Sequence, residues 1–137
     1  MKHSGETALI WAVRRGYKDI VELLLEHNAD VKASDNGGYT AIIYAVQSRN
    51  KDIVKLLLLY NVNINSRIEH GYTALEFATL VGSKDIVKLL LTNGADGNSK
   101  TTVGETALTL AAKGGRKDIV HLLLENKTMH LVLLCHC

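Results

Sequence analysis

The sequence predicts an all-α repeat solenoid, a stack of helix–turn–helix units joined by β-hairpin-like fingers. Three observations predict it. The tetrapeptide KDIV recurs at residues 18–21, 51–54, 84–87 and 117–120, always 33 residues apart. The pattern G-x-T-A-[L/I] recurs on the same period, opening at Gly5, Gly38, Gly71 and Gly104. Each unit then closes on a leucine run, at residues 23–25, 56–59, 89–91 and 122–124. A fixed period in this range marks repeated supersecondary units, and two short helices cannot bury that much leucine unless neighbouring units stack.

Each element of the unit has a physical reason. Thr7, Thr40, Thr73 and Thr106 stand where a helix begins, and a threonine hydroxyl there satisfies a free backbone N–H. A helix of about two turns follows, with Leu9, Ala12 and Val13 on one face. Trp11, Tyr44, Phe77 and Leu110 share one position of this helix and are expected to face the neighbouring repeat as core. Gly16, Gly82 and Gly115 end the helix. KDIV then opens a second helix, with Asp19 in its first turn where a negative charge suits the helix dipole. Ile20, Val21, Leu23, Leu24 and Leu25 give that helix a broad apolar face. Asn28, Asn61 and Gly94 are expected to end it, because they tolerate the left-handed conformation common just past a helix. A polar, turn-rich finger then leads to the next unit. KDIV is thus a helix start and two core residues, not a catalytic site.

Composition narrows the function. At 137 residues, with 47% apolar and 22% charged, the chain has the size and balance of one folded domain. A formal net charge of +2, with no basic stripe, does not point to nucleic acid or an anionic membrane. The only cysteines, Cys135 and Cys137, exclude a disulfide framework across the body and suit the cytoplasm or nucleus. The N-terminal stretch MKHSGETALIWAVRRG has no uninterrupted apolar export segment, and no stretch approaches the ~20 apolar residues that span a bilayer. The expectation is an intracellular monomer that binds neither nucleic acid nor membrane.

No catalytic constellation emerges. None of the six histidines recurs at a fixed unit position, and neither G-x-S-x-G nor a phosphate-loop glycine pattern is present. The expectation is a non-enzymatic protein without cofactor or metal. Cys135-His136-Cys137, with His130 nearby, matches no strong zinc spacing.

The blocks TALIWA, TAIIYA, TALEFA and TALTLA align with the signature T-P-L-H-x-A. LLLTNGADGN matches L-L-L-x-x-G-A-D-x-N, and LLLEHNADVK and LLLLYNVNIN match it more loosely. In these motifs the chain resembles the ankyrin repeat family. The resemblance covers a repeat domain at 1–126, with units near 3–34, 35–67, 68–100 and 101–126, before an apolar C-terminal tail at 127–137. Two departures stand out. Ala8, Ala41, Ala74 and Ala107 replace the signature proline, giving up its preorganised first turn. Ile10, Ile43, Glu76 and Thr109 replace the signature histidine, and apolar packing at the two isoleucines is expected to compensate. The tail MHLVLLCHC is expected either to fold back over the last helix pair, the favoured reading, or to be a scar of truncation.

The resemblance implies a protein-binding module that uses fingertips and the inner faces of the first helices. Carried over, the candidate contacts are Glu6, Arg14 and Arg15 in the first unit and Asn36, Tyr39 and Gln47 in the second. The third offers Glu69, His70, Tyr72, Leu80 and Val81, and the fourth Thr102, Glu105 and Lys113. The position after the finger glycine reads Glu6, Tyr39, Tyr72, Glu105, so two tyrosines are expected side by side in mid-groove between carboxylates. Tyrosine is enriched in binding hot spots. The alternative for these rings is packing on their own fingers. Two other functional readings stand beside protein binding. One is a regulatory or targeting fragment of a larger, possibly catalytic, protein. The other is a lipid-anchored or metal-binding protein using the terminal Cys-His-Cys.

Overall fold

The computed structural model describes residues 7–135, with side chains through residue 126. Among the described residues eight α-helices alternate in two rows, with one turn of 3-10 helix at Glu69–Gly71. The first helices are α1 (Ala8–Arg15), α3 (Ala41–Gln47), α5 (Ala74–Val81) and α7 (Ala107–Lys113). The second helices are α2 (Lys18–Glu26), α4 (Lys51–Leu58), α6 (Lys84–Thr92) and α8 (Lys117–Cys135). Each helix packs on its hairpin partner and on its counterpart in the next unit, so the core runs the length of the stack. Among the described residues there is no strand, only a bridge between Ser34 and Thr40 in one finger.

The helix starts are more varied than the repeated threonine implies. Thr7 and Thr106 cap as expected, accepting from the N–H of Ile10 at 3.1 Å and of Thr109 at 3.2 Å. Thr40 makes no side-chain cap. Thr73 forms a capping box with Glu76, its own N–H and hydroxyl donating to Glu76 Oε1 at 2.9 and 3.1 Å. At the second helices Asn50 and Ser83 cap, accepting from Ile53 N and Ile86 N.

Helix ends follow the expected glycines except in the second unit. Gly16, Gly82 and Gly115 adopt positive φ, and Arg49 holds the same position at φ 60°. Its guanidinium donates to the Val81 carbonyl of the next unit at 2.9 Å, a tie that glycine could not make. Asn28 and Gly94 are left-handed as expected, whereas Asn61 is not, because α4 has already ended at Leu58. In the last unit the equivalent position is Lys127, and no glycine or asparagine stops the helix there. The backbone of α8 therefore runs unbroken to Cys135 and does not turn back over the last helix pair, contrary to the expectation.

The broad apolar face expected for the first KDIV helix is also divided. Val21 and Leu25 are buried, but Ile20 is 47% exposed, while Ile53, Ile86 and Ile119 are at most 1% exposed. The difference is positional: each later isoleucine is covered by the unit before it.

Candidate functional site

The site grows from the turn that ends each finger. Asp35, Ile68 and Thr101 occupy equivalent positions, and each donates its N–H to the carbonyl four residues on, at Tyr39, Tyr72 and Glu105. Gly38, Gly71 and Gly104 close these turns at φ between 77° and 86°, a region that suits glycine. The turn thereby delivers residue 39, 72 or 105 to the foot of the following first helix. Asp35 adds a tighter lock: its Oδ1 accepts from the N–H groups of Gly37 and Tyr39, both at 3.0 Å, and its Oδ2 accepts from the Tyr44 hydroxyl. Burial, reinforced by the Asp35 carboxylate, pushes the Tyr44 phenol up to about 12.

The two finger tyrosines do not simply sit side by side. The Tyr39 ring centroid lies 5.4 Å from that of Tyr44 and 6.4 Å from that of Phe77, and Tyr72 lies 5.3 Å from Phe77. The four half-buried rings alternate finger, helix and finger in one tilted ladder across the second and third units. Such offset aromatic pairs add roughly 0.5–1.5 kcal/mol each beyond their buried area. The core reading of Trp11, Tyr44, Phe77 and Leu110 is corrected accordingly. Leu110 is buried, Tyr44 and Phe77 pack on the core by one side and join the ladder by the other, and Trp11 is exposed. The reading of Tyr39 and Tyr72 as packing only on their own fingers is likewise too narrow, since both reach helix aromatics.

Charged groups flank the ladder. The Arg14 guanidinium lies 5.0 Å from the Tyr44 centroid and that of Arg15 lies 4.3 Å from Trp11. At the far end Glu105 and Lys113 form an ion pair. The hydrogen bond from Lys113 to Glu105, then the field of that carboxylate, hold the amine above its usual range. Asn36, Glu69 and Thr102 are exposed at successive fingers, and Gln47 is half-buried at the end of α3. His70 is exposed at φ 64°, and its carbonyl accepts from Thr102 N at 2.9 Å, so these two candidates tie adjacent fingers together. Leu80 is exposed and Val81 half-buried at the end of α5. Glu6 lies outside the described residues.

Two residues that sequence reasoning missed shape this region. Asp35 has a local signal, since an aspartate two before glycine reads as a side-chain turn. Glu76 has none. It is fully buried in α5, and beyond its bonds to Thr73 its Oε2 accepts from Ser99 Oγ at 2.9 Å, in the finger that leads out of the third unit. Its two oxygens therefore fasten the start of α5 to the finger that leads toward the fourth unit.

Among the described residues no group of three or more histidine, cysteine or acidic side chains converges as a metal site, and no helix is long and apolar enough to cross a membrane. Cys135 ends α8, while His136 and Cys137 lie outside the described residues. The sequence model of the family described as ankyrin repeats (3 copies) matches this chain at residues 1–68, 36–101 and 58–132. No curated protein matches it.

Proposed function

The chain belongs to the ankyrin repeat family, and from that premise we propose that it holds a protein partner against the side of the stack where fingers meet first helices. Ankyrin repeats are generally protein–protein interaction modules, and the family is typically non-enzymatic. The observation that carries the reading is the ladder of Tyr44, Tyr39, Phe77 and Tyr72. Its rings are already fixed by contacts on one side, so a partner would dock without the full cost of ordering them. Arg14 and Arg15 at one end and the Glu105–Lys113 pair at the other would set orientation, with Leu80 and Val81 extending the apolar surface. The partner's face is apolar at its centre and charged at its ends. The site is a preformed surface, and binding leaves the backbone nearly unchanged.

The test is affinity capture from native lysate with wild type and Tyr39→Ala/Tyr72→Ala, after circular dichroism shows that both are folded. Proteins retained by wild type and lost from the variant support the ladder as the contact surface. A protein held equally by both removes the ladder from the contact.

A further inference from the structure

The two ends of the stack are unlike its interior in a complementary way. At the first unit Trp11 is 45%, Ile20 47% and Leu23 55% exposed. Their equivalents, Tyr44, Phe77 and Leu110, then Ile53, Ile86 and Ile119, then Leu56, Leu89 and Leu122, are buried or half-buried beneath the preceding unit. At the fourth unit the opposite face is open. Thr109 and Ala112 are exposed where Ile10, Ile43 and Glu76, and Val13, Val46 and Thr79, are buried. Leu124 is 46% exposed where Leu25 is buried.

We propose that these two faces stack on each other, so that the fourth unit of one copy of this chain packs on the first unit of a second copy. The interface is already present three times within the chain, between successive units, and the end-to-end contact continues it. The residues named on the two faces are uncharged, and the Arg15 guanidinium over the Trp11 ring is exposed and would swing aside to stay in water. The rims are complementary as well. Within the chain Lys51 Nζ lies 3.4 Å from Asp85 Oδ2, a lysine reaching the aspartate of the next unit. Lys117 and Asp19 are the equivalents of this pair at the two ends, and both are exposed. In the stack Lys117 of one copy meets Asp19 of the next. The contact is heterologous, so each copy keeps one face open and the association does not close at a dimer. On this proposal the chain assembles as its concentration rises, where the sequence expectation is a monomer.

Sedimentation velocity over about a hundredfold range of concentration tests this. Wild type is expected to exceed dimer mass as concentration rises. Ile20→Glu/Leu23→Glu blocks one end and Thr109→Glu/Ala112→Glu the other. Each variant alone is expected to be monomeric, with helical circular dichroism unchanged because the positions are exposed. Mixed in equal amounts, they are expected to form one dimer and nothing larger, joining the one native head to the one native tail. Asp19→Lys, which disturbs no packing, is expected to weaken association by roughly threefold, with Lys117→Asp in the other copy restoring it. Wild type that stays monomeric throughout overturns the proposal. So does a head-to-head dimer, recognised by a Thr109→Glu/Ala112→Glu chain that still associates with itself, and so does a mixture that stays monomeric.

Discussion

Position 10 of the first helix and its equivalents can be compared across four units of one backbone. Ile10 and Ile43 are buried among aliphatic neighbours, Glu76 is buried with every oxygen hydrogen-bonded, and Thr109 is exposed. The helix is the same each time; what differs is what covers it, above all the finger that follows its helix pair. A finger serine at residue 99 makes a carboxylate acceptable at Glu76, and the open face of the last unit makes a hydroxyl acceptable at Thr109. The repeat supplies geometry, and the finger that follows the helix pair decides the chemistry that the geometry can bury.

The comparison breaks most severely at Ile10→Glu. The finger residue in register with Ser99 is Ala33, which has no hydroxyl to offer, so the carboxylate would be buried without its partner. A loss of about 4 kcal/mol is expected in urea unfolding. Glu76→Ala comes next, at about 3 kcal/mol, because it leaves a cavity and strands the Ser99 hydroxyl. Ile43→Glu sharpens the contrast. Thr40 and Ser66 stand where Thr73 and Ser99 stand one unit on, so the network can be rebuilt and the loss held to about 1 kcal/mol. Equal losses for Ile10→Glu and Ile43→Glu would refute the role given to the finger serine. Thr109→Ala, at the open end, is expected to change stability by less than about 0.5 kcal/mol.

The Asp35–Tyr44 contact gives a pH prediction of a different kind. Tyr44 holds its proton to about 12 in the folded chain, above the ordinary tyrosine value near 10. Its contribution is therefore complete below about pH 10 and is lost as pH rises through 12. Asp35→Asn is expected to bring one phenol, followed by ultraviolet titration, back toward the ordinary range. Part of the elevation should persist, since burial is the larger cause. No change in any phenol would show that the carboxylate does not govern Tyr44.

Legibility tracks how local the cause is. The helices and their stacking follow from the 33-residue period, because repeated glycine, threonine and leucine positions fix starts, stops and the buried face. The end of α8 was not legible, since the missing stop at Lys127 is an absence and not a signal. Arg49 was missed because its left-handed turn is held by a carbonyl 32 residues away. Tyr39 and Tyr72 were found from their place after the finger glycine. Tyr44 and Phe77 were read as core and pack on it by one side only, because periodicity identifies a helix face without showing how far a neighbour covers it. Glu76 looked like a lost histidine; its meaning lies in Ser99, which no spacing rule connects to it.

The measurement closest to the central claim is amide chemical-shift mapping of the labelled chain with a captured partner. The account predicts shifts centred on Tyr39, Tyr44, Tyr72 and Phe77, fading toward Arg15 and Lys113. Shifts centred on exposed leucines in and just past the second helices, such as Leu23 and Leu59, with the ladder unmoved, would contradict it.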